Sequence, residues 1–334
     1  MTAERRVDRR RKWRCLGYAT PLFGLFGGLF LIVMSAAAAE FRLAAKQSAV
    51  GAIEIDVAHK RDTLMDIGRQ YDLGFTQLMA VNRGVNPWSP GNGRRITIPN
   101  LYLLPDAPRS GIVINLAEQR LYYFPPGKET VETFPIGIGV LGASTPIGMT
   151  RIVAKEANPA WYPPPSIHEE RPDLPRVIPA GPDNPLGAYA LRLGWPTYLI
   201  HGTNKPDGVG RDVSHGCMHL YPEDIERLFH EVPVGTSVRV VNQNVKTAWI
   251  GNELFVEVHP TKDQGDELDI ESTMTPVAPP ADLESRVTEA AGEQADRIDW
   301  SAVRRVGLER TGIPTQVTVR GAINRWGAKP RPSS

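Results

Sequence analysis

The sequence predicts a mainly β protein, with a small α+β module ahead of the β region and a small mixed extension behind it. Three observations carry that prediction. From Ser110 to Ala154 apolar residues alternate in short runs punctuated by glycine, the period of half-buried strands. Helical periodicity is scarce over the same stretch. Asn158 to Gly187 is crowded with proline, including Pro163-Pro164-Pro165, a density that excludes a regular helix or a central strand.

The chain has 334 residues, 41% hydrophobic and 22% charged, enough for about two domains of common size with a buried core. Its net charge of +1 argues against nucleic acid as the main partner. The positive charge is uneven. A basic head from Arg5 to Arg14 precedes the apolar run Leu16–Met34 and the small residues Ala37-Ala38-Ala39. Residues 1–39 therefore read as an export signal cut before Glu40. Kept uncleaved, the segment is long enough to serve as an inner-membrane anchor. In either case the rest of the chain leaves the cytoplasm. Of the two cysteines, Cys15 lies in that segment and Cys217 remains. A lone thiol in an exported protein suggests an intermolecular bridge or a reactive group.

Residues 53–99 open with alternation at Ile53, Ile55 and Val57, a short strand. Asp62-Thr63 offers a helix cap, and Leu64, Ile67 and Tyr71 recur at helical spacing. Phe75, Leu78 and Val81 suggest a second helix, and Ile96-Thr97-Ile98 a closing strand. Strand, helix, helix, strand with Asp62-Thr63-Leu64, Asn82 and Ile98-Pro99 resembles the LysM module, which implies binding of N-acetylglucosamine-containing glycans. Arg61 stands where such modules usually have Gly before Asp-Thr.

Residues 110–241 form the β region. Gly111–Phe124 reads as a hairpin turning at Ala117-Glu118-Gln119, followed by strands over Thr130–Val140 and Met149–Ala154. The proline-rich segment reads as a stiff lid that turns Trp161 and Tyr162 toward a sugar or peptide. Ala188–Leu193, Tyr198–His201 and Ser237–Asn242 resume as strands. Pro222-Glu223-Asp224 opens a helix ending near His230, with proline early and acids in the first turn. Residues 242–334 make the extension. Pro276, Pro279 and Pro280 form a linker-like run, with helical stretches over Asp282–Glu293 and Ala302–Arg310 and a strand over Gln316–Val319.

Three histidines and the thiol fall between His201 and Leu220. Metal binding is disfavoured, because fourteen-residue separation and the absence of His-Glu-x-x-His give no helical ligand set. Thiol catalysis needs an imidazole to take the proton, a turn that exposes the sulfur, and backbone N–H groups aimed at the oxyanion. Ser214-His215-Gly216-Cys217 supplies the turn, and Gly216 lets the backbone approach closely. His201 ends an apolar strand that holds its ring. His201 and His215 compete for the base, and spacing alone does not choose.

Ile200-His201-Gly202, a loop, and then Ser214-His215-Gly216-Cys217 resemble the signature of the YkuD-type L,D-transpeptidases. Thr145-Pro146-Ile147-Gly148 and the Pro135–Gly139 run support it. The resemblance covers about Ser110 to Val241. With a LysM-like module in front, the chain is similar to the ErfK/YbiS/YcfS/YnhG subgroup of Gram-negative bacteria. It implies a β-sandwich catalytic domain in the periplasm, with no cofactor and no metal. By the same resemblance Cys217 is the nucleophile, His201 the proton donor and acceptor, His215 auxiliary, Gly216 an oxyanion-hole N–H, and Gly202 the carbonyl orienting the base. Ser214, His219, Trp161 and Tyr162 are expected to meet substrate, His219 standing where the family usually has Arg or Asn. The implied partners are peptidoglycan stem peptides and glycan, with a lipoprotein lysine, a second stem peptide or water (a carboxypeptidase) as acyl acceptor. The rival reading is a non-catalytic wall-binding scaffold.

Overall fold

The computed structural model describes residues 39–139, 145–214 and 217–319. The expected export segment, apart from Ala39, lies outside the described residues, as do His215 and Gly216. Strand β1 (Ala39–Arg42) leads into the module β2 (Ala49–Val57), α1 (Leu64–Gln70), α2 (Phe75–Val81) and β3 (Arg95–Leu103). Thr63 caps α1 in a capping box with Asp66, which satisfies two orphan donors at once. Leu64, Ile67, Leu78, Ile96 and Ile98 pack together out of water. Asn82 ties helix to strand: its Nδ2 donates to Leu78 O and Thr97 O, both at 2.9 Å, and its Oδ1 accepts from Thr97 N at 2.8 Å.

The β region comprises β4 (Gly111–Asn115), β5 (Arg120–Phe124), β6 (Thr130–Pro135), β7 (Ile138–Gly139), β8 (Gly148–Ala157), the helix α3 (Pro165–Glu170), β9 (Tyr189–Leu193), β10 (Leu199–His201), β11 (Asp212–Ser214), β12 (Met218–His219), α4 (Pro222–Glu231) and β13 (Ser237–Val241). Nine of the strands form one sheet in the order β1-β6-β5-β4-β13-β8-β9-β10-β12. The first part of β8 pairs with β13 and the second with β9, across a register shift between Ile152 and Ala154. A bulge of this kind bends a strand and sharpens its twist, so the sheet curls over its main core. Ile112, Ile114, Leu121 and Phe134 from one half meet Leu191, Ile200 and Met218 from the other, with Ile225 and Leu228 of α4. The 110s hairpin turns through a 3₁₀ turn at Leu116–Glu118, with Gln119 at φ 52°.

Helix α3 corrects the expectation that the proline-rich segment excludes a helix. Pro165 occupies the first turn and Pro164 the cap, positions where the missing N–H has no intrahelical acceptor to lose. No proline follows inside the helix.

The extension contains β14 (Val245–Ile250), β15 (Glu253–Val258), α5 (Lys262–Glu271), α6 (Leu283–Ala291), α7 (Trp300–Glu309) and β16 (Thr315–Gln316). It builds its own core from Leu254, Val256, Val287, Val303 and Val317 among others. A buried ionic network joins it to the rest. Lys246 Nζ lies 2.8 Å from Glu118 and 2.6 Å from Glu257, and donates to Leu103 O at 2.6 Å. Tyr122 donates its hydroxyl to Glu118, and His259 Nε2 lies 2.8 Å from Glu257. Burial pushes the Glu118 carboxyl up, but the charge of Lys246, then His259 and the hydrogen bonds, outweigh it and hold the group below its usual range. Glu118, Glu257 and His259 are close enough together to ligate a cation, and the Lys246 ammonium supplies the positive charge among them.

Removing one partner of a buried ion network leaves the others charged and unpaired. Lys246→Met is expected to cost about 3–5 kcal/mol in urea unfolding. Arg286→Ala, which breaks an exposed i,i+4 pair with Asp282, is expected to cost less than about 1 kcal/mol.

Candidate active site

The site is built on one parallel strand pair. Strands β10 and β12 align Ile200 with Met218 and His201 with His219. Side chains alternate along a strand. Ile200, Met218 and Leu220 point into the core, so His201 and His219 point to the opposite face, and the same alternation puts Cys217 there. The outer side of β12 is covered by Gly137, whose N–H and carbonyl exchange hydrogen bonds with His219 at 2.9 and 3.0 Å.

His201 is buried at 6% exposure. Its Nδ1 lies 2.6 Å from Gly202 O. A carbonyl only accepts, so Nδ1 carries the proton and donates, and Nε2 is left as the basic nitrogen. His219 is fixed the other way round, with Nε2 donating to Gly208 O at 3.0 Å. The two rings lie 6.3 Å apart at 29°. Gly137 makes room for this arrangement, since a Cβ there would sit 2.0 Å from a ring carbon of His219.

Cys217 is half-buried, and its Sγ donates to Thr197 O at 3.6 Å. Thr197 has φ 71°, a left-handed conformation that is costly for a β-branched residue. Strained backbone of this kind persists where the surroundings over-determine it, and here it aims a carbonyl at the thiol. Burial pushes the Cys217 thiol up, against a backbone hydrogen bond from Leu199. Burial pushes His201 down to about 3, helped by His219 and opposed by the Gly202 carbonyl. Burial likewise lowers His219. At neutral pH the site therefore rests as neutral thiol and neutral imidazoles.

The structure thus brings together His201, Gly202, Cys217 and His219. The His219 ring, expected to meet substrate, is 5% exposed and lies beside the His201 ring. Ser214 ends β11 opposite Gly139 of β7. Trp161 bridges to Ile178 within the proline-rich loop, while Tyr162 is exposed. That loop is organised by Asn184, fully buried, whose Nδ2 donates to Pro159 O at 2.8 Å and whose Oδ1 accepts from Leu186 N at 2.9 Å. Asn184, Thr197 and Gly208 had no sequence signal beyond residue type, and Gly137 was noted only as part of the Pro135–Gly139 run. A cavity of about 380 Å³ opens behind β7, lined by Thr76, Gln119, Ile138, Arg211 and Lys262. None of Cys217, His201 or His219 lines it.

The family described as the L,D-transpeptidase catalytic domain, YkuD, matches residues 109–240. Probable L,D-transpeptidase YcfS of Escherichia coli K12 is 40% identical over 264 residues, which cover 76% of this chain and 80% of the relative. Probable L,D-transpeptidase YbiS of the same strain is 47% identical over 196 residues, 57% of this chain and 64% of the relative. The solved catalytic domain of the E. faecium L,D-transpeptidase aligns at 22% identity with a TM-score of 0.33, over 41% of this chain and all of that one.

The protonation of the site has a thermodynamic consequence. His201 binds a proton near pH 6.5 when unfolded and near 3 when folded. The unfolded chain therefore takes up protons first, and the contribution of this group to stability is present above pH 6.5 and lost as pH falls toward 3. Unfolding free energy is expected to decline from pH 6 to 4 by up to about 1.4 kcal/mol per pH unit for each such ring. In urea titrations at stepped pH, His201→Asn should flatten that slope; an unchanged slope would mean that the ring is protonated in the folded protein.

Proposed function

This chain belongs to the L,D-transpeptidase family, and on that premise we propose that Cys217 and His201 carry out two-step acyl transfer on peptidoglycan stem peptides. Supporting the reading is the tautomer of His201. With Nδ1 held by Gly202 O, Nε2 is the nitrogen available to the thiol face of the β10–β12 pair.

In the first step Sγ attacks the third residue's own carbonyl carbon, in the amide that joins it to the fourth residue of a tetrapeptide stem. His201 Nε2 takes the thiol proton as the C–S bond forms and gives it to the departing amine, so the C–N bond breaks and D-alanine leaves. A thioester remains on Cys217. In the second step an acceptor amine loses a proton to Nε2 and attacks the thioester, and the proton returns to Sγ as the C–S bond breaks. Thiol and imidazole both rest neutral, so the thiol must give up its proton to Nε2 for attack to proceed. Backbone N–H groups at Gly216 and Cys217 are assigned to the oxyanion, Gly216 lying outside the described residues. The acceptor is assigned as an amine, from a lipoprotein lysine or a second stem. We place the reaction in the periplasm and assign the N-terminal module to wall glycan.

Cys217→Ala should abolish both the thioester adduct and the product, read by mass spectrometry with purified muropeptides and candidate acceptors. His201→Gln should slow turnover about 10²–10⁴-fold. Turnover retained by Cys217→Ala would rule out the thiol mechanism.

A further inference from the structure

The segment between the base and the nucleophile is gripped from outside the catalytic sheet. Helix α2 of the N-terminal module has no side-chain cap; instead its first N–H groups donate to this segment, Phe75 N to Val209 O at 3.2 Å and Thr76 N to Gly210 O at 3.1 Å. The backbones touch. A Cβ on Gly210 would lie 2.2 Å from Gly74 Cα and 2.3 Å from Phe75 N, and Gly210 itself sits at φ 80°. Both positions therefore require glycine.

The next residue, Arg211, is held twice. Its Nη1 pairs with Asp269 of α5 at 2.6 Å, and its guanidinium lies 3.8 Å from the centre of the Phe75 ring. Two residues upstream of Gly210, the Gly208 carbonyl accepts from His219. Contact thus passes from α2 and α5, through Gly208 to Arg211, to the ring that lies beside His201. The far flank of the nucleophile strand is held by the same module. Tyr221 donates to Leu73 O at 3.1 Å, and Arg69 makes a two-pronged pair with Glu223 at 2.7 Å per prong. The module grips the chain on both sides of Cys217.

We infer that the N-terminal module and helix α5 are positioning elements of the catalytic centre, acting through Gly210 and Arg211 on the strand that bears Cys217 and His219. A module that served only to hold glycan would need no bonds to this loop. The inference rests on the reading of Cys217 as nucleophile and deepens it, since the module becomes part of the machinery that sets the thiol against the base.

The test uses the full chain with Arg211→Met, Arg211→Lys and Gly210→Ala. Turnover of muropeptides is resolved into kcat and KM, and alkylation of Cys217 by iodoacetamide is followed against pH by peptide mass spectrometry. Displacing a catalytic group by about 1 Å costs up to about 100-fold. Arg211→Met should therefore lower kcat about 10–100-fold at nearly constant KM and alter the alkylation profile, and Arg211→Lys, which keeps the charge, should recover most of both. Gly210→Ala should do the same or worse, and if it does not fold the Arg211 pair still decides. Native kcat and a native alkylation profile in Arg211→Met, or a loss no larger than its unfolded fraction, would overturn the inference. The alkylation profile is read without substrate. Failure of the acyl-transfer reading would show instead as turnover by Cys217→Ala.

Discussion

The register of two short parallel strands governs the candidate site. Aligning His201 with His219 puts Ile200 and Met218 in the core and turns the imidazoles and the thiol to the other face. A slip of one residue would exchange these sets, sending the imidazoles into the apolar core and turning Ile200 and Met218 to the face of the site. The core therefore enforces the register, and the register places the imidazoles and the thiol. Hydrophobic packing of the curled sheet and alignment of the site are two readings of one constraint.

Buried charge performs the corresponding task between modules. Arg120 of β5 is fully buried; it donates to Asp72 O at 2.9 Å and to Gln77 at 2.8 Å, and lies 4.2 Å from the Tyr102 ring. Burial pushes Asp72 up to about 7, although Arg120 opposes the shift. Nearby Asp224, on α4, is pushed up as well, by burial and then by Asp72. The joint between the module and the β region is thus specified by polar groups with few alternative partners. Asp72 Oδ1, Arg120 Nε and both Asp224 carboxylate oxygens are buried there without a hydrogen-bond partner, so the joint adds little net stability.

The fold was legible wherever local chemistry matched global structure. Asp62-Thr63 with the spacing of Leu64, Ile67 and Tyr71 announced α1, and Pro222 with its following acids announced α4. The extension was legible in part. Helix α5 escaped because its face offers only Leu268 to the core while Ile270 is exposed, so no apolar period exists to read; the capping box of Thr261 and Gln264 was its one sign. The hairpin of β14 and β15 turns at Gly251-Asn252, a turn signal between alternating runs that went unread. In the site, residue type singled out Cys217, spacing left His201 and His215 as alternatives, and only the family resemblance favoured His201. The packing of His219 was not legible, because it depends on Gly137 and Gly208, which only the folded chain brings beside it. Thr197 was hidden for a different reason: nothing in the type threonine foretells a left-handed backbone.

Lys246, Glu118 and Glu257 come from three different stretches of the chain, and Leu103 adds a fourth. An insulated cation shared in this way does not tolerate piecemeal exchange. Grafting the extension onto another enzyme would strand Glu118, whose ammonium partner leaves with the extension, in a dry seam. Recombination among such proteins would then succeed only when the matching acids and base travel together, which makes the apparent mosaic of small parts a single heritable unit.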